Sequence, residues 1–267
     1  MQLEVIARKA EDKAFPHPVL FVHGAWHGAW CWEENFMGYF AERGFDCYAF
    51  CMRGHGASAC EGFFHFSSVD DYVADLTSVV EQLGTEPVLI GHSMGGLVVQ
   101  RYLETHEAPV AVLLASVPPR GVLRFVMRFA RRHPLAFLKY LVTMNPRAAV
   151  ATPELTCDDF FSPDIPPELL ERYFARISTE SARASLEMMT LRFPRASRVR
   201  GTPVLVLGAA NDRVFSRGEV EATARAYGTR AEFFAMAHDM MLEAGWQDVA
   251  DWIIDWLRDM ELQPARP

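Results

Sequence analysis

The sequence predicts an α/β protein with a mostly parallel central sheet covered by helices on both faces. Three observations lead to this fold class: short apolar runs, amphipathic segments between them, and a length that suits one domain. The apolar runs occupy residues 19–22, 47–50, 87–90, 110–115, 203–207 and 231–234. Uninterrupted apolar runs of this length are typical of strands that are buried on both faces, as in parallel sheets.

The segments between these runs carry helical periodicity. Residues 69–83 place apolar side chains on one stripe of an amphipathic helix. Residues 94–103 and 249–257 show similar spacing. Because strands alternate with helices, the strands are predicted to pair in parallel beneath two helical layers.

One long region interrupts this alternation. From residue 118 to about residue 200, the sequence shows helical patterns and many prolines but no convincing strand. The candidate helices of this region cover residues 121–132, 167–177 and 180–191. The predicted organisation is an α/β core of residues 1–117 and 201–267, with a helical cap of residues 118–200 inserted in it.

Composition narrows the possible partners and compartments. The net charge of −8 gives no general attraction to nucleic acid, which is therefore not an expected partner. The sequence contains no apolar run of about 18 residues, so no membrane-spanning helix is predicted. Residues 1–13 also lack the apolar centre of a signal peptide. The five cysteines have no CxxC spacing, which favours reduced thiols in a cytoplasmic protein without a metal site. No cofactor is expected, and the chain is predicted to be a monomer or a homodimer.

The candidate nucleophile is Ser93, in the Gly-x-Ser-x-Gly sequence of residues 91–95. The pattern alone is weak, since chance places it in roughly one chain in ten of this length. Its position strengthens it, because it follows a predicted strand and opens a predicted helix. A sharp turn between strand and helix holds a serine hydroxyl above the sheet edge, and flanking glycines let the neighbouring chain pass close by. The alternative is a glycine-rich helix start that only packs tightly.

A serine hydroxyl needs a base, and the base needs an orienting acid. In this architecture the expected chain order is serine, acid, histidine. His238 is the only histidine after the fifth predicted strand, and Asp212 lies on the loop that follows that strand. A surface histidine and a helix-capping aspartate are the alternative interpretations. Asp239 is a poor rival as the acid, because a residue adjacent to His238 cannot easily reach its ring.

Acyl transfer also requires donors for the developing negative oxygen. The backbone N–H of Met94, directly after the nucleophile, is the first predicted donor. The second is the N–H of Ala25, on the glycine-containing loop after the first apolar run, with Trp26 as the near alternative. His23 is expected to brace this loop by hydrogen bonds.

These motifs together resemble the α/β-hydrolase superfamily, and the resemblance covers nearly the whole chain and is weakest across residues 118–200. The repeated His-Gly-Ala-Trp sequence of residues 23–30 is similar to plant methylesterases and hydroxynitrile lyases. The Arg-Gly-His-Gly-Ala-Ser sequence of residues 53–58 departs from that branch and resembles bacterial carboxylesterases, lysophospholipase-like proteins and cofactor-free haloperoxidases. The resemblance implies an α/β-hydrolase fold and a Ser-Asp-His triad. Serine at position 93 argues against the branches that use aspartate there.

The resemblance implies hydrolysis of a small-molecule carboxylic ester, thioester or lactone through an acyl-enzyme. An acyltransferase or perhydrolase, a lyase, and a non-catalytic ligand-binding member are the alternatives. A lyase would favour a lysine near the site, and the predicted cap contains only Lys139.

The resemblance also implies that the inserted helices cover the active site and shape a largely apolar pocket. The predicted substrate-binding residues are Trp26, His92, Phe125, Phe129, Phe161 and Met189. The first cap helix also carries a basic face, formed by Arg120, Arg124, Arg128, Arg131 and Arg132. Such a face is most often solvated. Weak association with a membrane surface is the alternative, because phenylalanine and valine share the helix.

Overall fold

The computed structural model describes residues 1–190 and 193–260 of the chain. Its centre is a seven-stranded sheet in the order β1-β3-β2-β4-β5-β6-β7. The strands are β1 (Val5–Arg8), β2 (Val19–Val22), β3 (Cys47–Phe50), β4 (Val88–His92), β5 (Ala111–Leu114), β6 (Val204–Ala209) and β7 (Ala231–Phe234). All neighbouring pairs are parallel except β1 with β3. The predicted fold class, a mostly parallel sheet flanked by helices, is confirmed.

The helices of the core follow the strands in alternation. They are α1 (Trp30–Glu33), α2 (Phe36–Ala41), α3 (Val69–Leu83), α4 (Met94–Tyr102), α10 (Arg217–Ala226) and α11 (Trp246–Asp259). Strands β2, β4 and β5 are almost completely buried and are apolar except for His92 at the end of β4, because helices cover both faces of the sheet. No helix in the described part of the chain is long and apolar enough to cross a membrane.

The cap segment, residues 118–200, lies between β5 and β6. Its α-helices within the described residues are α5 (Leu123–Arg132), α6 (Pro134–Thr143), α7 (Pro153–Phe160), α8 (Pro167–Phe174) and α9 (Ala182–Thr190). Three of the helices, α6, α7 and α8, begin with a proline at their first position, where the missing N–H is not needed. The helix predicted over 180–191 matches α9, although its last residue, Leu191, lies outside the described residues.

Several elements of the structure were not predicted from the sequence. Strand β1 was not predicted, because its residues are largely exposed and partly charged, and only its antiparallel pairing with β3 defines it as an edge strand. Helices α6 and α7 were also missed. The apolar residues of α6 are not arranged as a buried stripe, since none of its side chains is buried.

The parallel sheet gathers the candidate site at one edge. The carboxyl ends of β2, β4 and β6 point to the same side, so the loops after them converge there. Those loops begin at His23, Ser93 and Ala210, and β7 adds the segment that contains His238. The cap segment starts beside this edge, at the carboxyl end of β5, and returns to the opposite edge of the sheet, where β6 begins parallel to β5.

Candidate active site

Ser93 sits at a strained turn between β4 and α4. Its φ of 50° and ψ of −116° lie outside the usual regions for residues with a side chain. Ser93 is half-buried, whereas both neighbours in the chain are buried. Its backbone N–H donates to the carbonyl of Leu114 at the end of β5, and its own carbonyl accepts from Val117. The turn therefore presents the hydroxyl above the sheet edge at the N-terminus of a helix, where the helix dipole favours negative charge.

The glycines around Ser93 are required by close backbone contacts. A Cβ at Gly95 would lie 2.5 Å from the carbonyl oxygen of His23 and closer still to that of Val22. A Cβ at Gly91 would lie 2.6 Å from the carbonyl oxygen of Gly95. Neither backbone neighbour can move without disturbing β2 or α4. The two glycines thus allow α4 to pack directly against the end of β2.

Gly95→Ala is expected to destabilise the protein by about 3 kcal/mol or more, because the methyl group would overlap backbone atoms of a central strand. The matched control is Gly218→Ala in the first turn of α10, where a Cβ would meet nothing within 4 Å. That change is expected to stabilise the fold by up to about 1 kcal/mol. Urea unfolding of both variants measures the difference. Equal stabilities would contradict the packing described here.

His238 and Asp212 form a buried pair beside this turn. The Nδ1 atom of His238 lies 2.8 Å from Oδ2 of Asp212, and both side chains are almost fully buried. The other carboxylate oxygen of Asp212 accepts hydrogen bonds from the backbone N–H groups of Val214 (2.6 Å) and Phe215 (2.9 Å). These donors fix the carboxylate, which in turn fixes the imidazole ring. The arrangement leaves Nε2 of His238 as the nitrogen available for proton transfer.

The environment of His238 favours its protonated form. Burial alone would lower the pKa of this histidine, but the charge and hydrogen bond of Asp212 outweigh it, and Asp239 and Asp159 add to the effect. The net pKa is therefore raised above its ordinary value. His92, whose ring centroid lies 4.8 Å from that of His238, behaves oppositely. Burial and the nearby positive charge of His238 lower the pKa of His92 to about 3, so it stays neutral.

The turn of Ser93 is connected to the segment of His238 through the neighbouring residue His92. The Nε2 atom of His92 lies 3.1 Å from the carbonyl oxygen of His238 and donates to it. Phe215, which shares a cavity with Ser93, contacts the His238 ring at a centroid distance of 5.5 Å. Among the described residues, no hydrogen bond joins the Ser93 hydroxyl to the His238 ring. Such contacts often tighten only when substrate is bound.

The loop after β2 carries Ala25, the second predicted oxyanion donor, and Trp26, its near alternative. Ala25 is nearly buried, and Trp26 adopts a left-handed conformation with a φ of 64°. The carbonyl of Trp26 accepts from the backbone N–H (2.8 Å) and the hydroxyl (3.1 Å) of Ser178, in the cap segment. His23 braces the loop, with Nδ1 donating to the carbonyl of Gly24 and Nε2 accepting from the N–H of Met52. The loop is thus held from both the core and the cap segment.

His27 links this loop to the segment of His238. Its Nδ1 atom lies 2.8 Å from the carbonyl oxygen of Ala25, and its Nε2 atom lies 2.9 Å from Oδ2 of Asp239. Burial would raise the pKa of Asp239, but the positive charge and hydrogen bond of His27 lower it overall. Asp239 is therefore engaged by His27 and not by the ring of His238.

A largely apolar cavity opens beside Ser93, between the core and the cap segment. It encloses about 700 Å³, including its mouth to solvent. The lining residues are Ala25, Trp26, Ser93, Met94, Val117, Val122, Phe125, Val126, Phe129, Phe137, Tyr140, Pro146, Ala149, Ser185, Met188, Met189, Val214 and Phe215. Ser93 therefore shares one cavity with both residues predicted to donate to an oxyanion, and with Trp26, Phe125, Phe129 and Met189.

Two predicted substrate-binding residues lie outside this cavity lining. His92 is buried beneath the turn, where its ring packs against Trp32 and His238. Phe161 is also buried, and it stacks on Tyr173 at a centroid distance of 5.7 Å. His92 is the last residue of β4, and Phe161 directly follows α7 and packs on α8. These side chains support the site rather than line it.

Several lining residues were missed from sequence. Val214 and Phe215 follow Asp212 directly, and their N–H groups hold its carboxylate while their side chains face the cavity. Their proximity to the candidate acid could have indicated this. Pro146, which accepts a hydrogen bond from the indole of Trp26, carried no such signal.

Within residues 1–190 and 193–260, two clusters have the geometry to hold a metal ion. One combines His92, His238 and Asp239, and the other combines His133, Asp158 and Asp159. In the first cluster, Nδ1 of His238 is already bonded to Asp212, and Nε2 of His92 is already bonded to the carbonyl oxygen of His238. In the second, guanidinium groups of two arginines already pair with the aspartates. We interpret both as hydrogen-bonded scaffolds, and the expectation of no metal stays a prediction.

The chain belongs to the alpha/beta hydrolase family, whose model matches residues 19–252. It is 39% identical over 113 residues to a non-heme haloperoxidase of Rhodococcus erythropolis, covering 41% of this chain and 40% of that protein. It is 31% identical over 112 residues to methyl jasmonate esterase 1 of Vitis vinifera, covering 40% of this chain and 42% of that protein. The chain thus matches about two-fifths of the length of these curated relatives.

Solved structures support the same fold. The structure of a carboxylesterase from Nitrososphaera gargenis superposes with a TM-score of 0.75, covering 97% of this chain and 95% of that one. The sequences are 14% identical, so this likeness concerns the fold alone. The family and the α/β-hydrolase fold expected from sequence are both confirmed.

Proposed function

We propose that this protein is a serine hydrolase of carboxylic esters, with Ser93 as nucleophile, His238 as general base and Asp212 as the orienting acid. One observation carries the proposal. Ser93 occupies a strained turn at a helix N-terminus and opens into an apolar cavity, and Phe215 of the same cavity contacts a buried imidazole that a carboxylate orients. The names of the curated relatives, an esterase among them, support the same reaction class.

In the proposed reaction, Nε2 of His238 takes the proton of the Ser93 hydroxyl as Oγ attacks the ester carbonyl carbon. The carbonyl oxygen becomes negative and accepts hydrogen bonds from the backbone N–H groups of Met94 and Ala25. Met94 opens α4, so its N–H has no partner within the helix. The protonated His238 then gives its proton to the leaving alcohol. Water, deprotonated by His238, hydrolyses the acyl-Ser93 ester and restores the enzyme.

The cavity favours an apolar acyl or alcohol group. Its lining from α5 is aromatic and aliphatic, through Phe125, Val126 and Phe129, and methionines 188 and 189 of α9 add adaptable surface. The described part of the lining contains no charged side chain, so a charged substituent would lose hydration without gaining a partner. Thioesters and lactones with the same apolar character fit the same reaction.

A series of p-nitrophenyl esters of rising acyl length tests the proposal. We expect kcat/KM to rise by roughly threefold to fourfold for each methylene buried in the cavity, until the cavity is filled. A decline beyond that length would mark the size of the acyl site. Absence of hydrolysis for every ester and thioester, together with no labelling by a fluorophosphonate, would contradict the proposed function.

Perhydrolysis is the second candidate, and the similarity to a non-heme haloperoxidase favours it. Hydrogen peroxide would replace water in attacking the acyl-Ser93 ester, which would release a peracid and restore the serine. Incubation with an ester and hydrogen peroxide, followed by peracid detection, separates this reaction from hydrolysis. A peracid yield no greater than that of the Ser93→Ala variant would exclude it.

A further inference from the structure

Positive charge is concentrated in one part of this acidic chain. Residues 108–153 contain seven lysines and arginines and no aspartate or glutamate, although the whole chain carries −8. The remainder of the chain therefore carries −15. Two of the seven, Arg128 and Arg132, pair with acidic groups from other segments. Three others form no ion pair with the described residues. They are Arg120, in the turn before α5, and Arg124 and Arg131, on α5 itself.

Large apolar side chains are exposed beside these arginines. On α6, Leu135 is 81% exposed, Val142 is 77% exposed and Leu138 is 56% exposed. Their spacing places them on one face of the helix. On α5, Leu123 and Met127 are each about half exposed, and helical spacing places them next to the stripe of Arg124 and Arg131. We call this combined surface of α5 and α6 the cap face.

Exposed apolar clusters of this kind usually mark a surface that contacts another phase or molecule. An apolar helix face with flanking arginines is the arrangement of helices that lie in the headgroup region of a bilayer. We propose that the cap face docks this protein on an anionic lipid surface. The arginines would contact lipid phosphates, and the leucines and valine would enter the boundary between headgroups and acyl chains.

The position of the cap face supports this occupant. The opposite sides of the same helices line the cavity, through Phe125 and Phe129 of α5 and Phe137 and Tyr140 of α6. Docking would thus place the cavity one helix layer away from the lipid, where an apolar substrate is concentrated. This inference concerns binding and does not depend on the proposed esterase activity.

The charge argues against a symmetric contact between two copies. In a twofold dimer each copy presents the same face, so the arginines of one cap face would approach those of the other. Residues 108–153 offer no acidic group to neutralise them. An anionic surface supplies the missing negative charge, and each arginine near such a surface contributes attraction that falls with added salt.

Vesicle flotation tests the proposal without measuring catalysis. The purified chain is mixed with vesicles of phosphatidylcholine alone or of phosphatidylcholine with phosphatidylglycerol, at low and at high salt. We expect flotation with the anionic vesicles at low salt, and loss of it at high salt. Arg124→Gln with Arg131→Gln should weaken partitioning by roughly 30-fold, which corresponds to about fivefold for each arginine.

Two further variants complete the experiment. Leu138→Ser with Val142→Ser should weaken partitioning by about tenfold or more, because two exposed apolar contacts are lost. The control is Arg230→Gln with Arg258→Gln, which removes the same charge from exposed positions outside the cap face and should leave partitioning unchanged. Circular dichroism verifies that each variant is folded.

The result is decisive in either direction. Absence of flotation with anionic vesicles, equal flotation with both vesicle types, or equal loss in the control variant would overturn the proposal. A chain that sediments as a dimer and becomes monomeric through Leu138→Ser with Val142→Ser, without binding vesicles, would assign the cap face to contacts between copies instead.

Discussion

Ser93→Ala is expected to lower kcat/KM for p-nitrophenyl esters by on the order of 10⁵-fold to 10⁶-fold and to abolish labelling by a fluorophosphonate. The physical reason is that Oγ forms the covalent bond, and no neighbouring group can replace it. Alanine is tolerated at this turn as well as serine is, because both carry one Cβ and Ala115 already adopts a φ of 41° nearby. The loss should therefore occur without a change in unfolding temperature.

Ser185→Ala is the matched control for this prediction. Ser185 lines the same cavity, but its hydroxyl donates to the carbonyl of Ser181, directly before α9, and has no oriented base beside it. We expect its activity to stay within about tenfold of the original protein and its labelling to persist. Comparable rates for the Ser93→Ala variant and the original protein would show that Ser93 is not the nucleophile.

The central part of this fold was predicted well because the signals that define it act between residues close together in the sequence. Residues 87–90 were predicted as a strand and β4 spans Val88–His92, while the predicted helix over 69–83 coincides with α3. In α3 the boundaries are encoded by a capping box of Ser68 and Asp71 and by Gly84 in the left-handed conformation. Apolar runs and caps act within a few residues, so they are readable without the rest of the chain.

The parts that were missed depend on distant partners. Strand β1 becomes a strand only by pairing with β3, and the cavity lining depends on how α5, α6 and α9 are placed over the sheet. That placement is fixed by buried polar contacts between segments far apart in sequence. Glu180 of the cap segment, for example, accepts from Tyr72 (2.5 Å) and pairs with His55 (3.2 Å), and both of these belong to the core.

The candidate site shows the same division. Ser93, Asp212 and His238 could be predicted because each follows a strand whose carboxyl end lies at one edge of the sheet. The connection of His27 to Asp239 could not be predicted, since 212 residues separate them and neither belongs to the motif of the nucleophile. It nevertheless decides which aspartate faces His238, and this choice can be tested.

Asp212→Asn is expected to lower kcat by about 10⁴-fold, because the neutral amide no longer stabilises the imidazolium or fixes its tautomer. Asp239→Asn is the matched control, since it removes a buried carboxylate that bonds to His27 and not to the His238 ring. We expect Asp239→Asn to cost no more than about 100-fold, through displacement of the two loops that it joins. Circular dichroism checks that both variants are folded when the rates are measured.

The pH dependence of kcat/KM separates the two aspartates further. His238 must be neutral to act as a base, so activity rises with pH through the pKa of this histidine. Asp212 contributes more than Asp239 to raising that pKa above its ordinary value, while burial lowers it. Asp212→Asn should therefore move the acid limb to lower pH, and Asp239→Asn should move it in the same direction by less. If Asp239→Asn moved the acid limb further than Asp212→Asn did, and also lost more kcat, the orienting role would belong to Asp239.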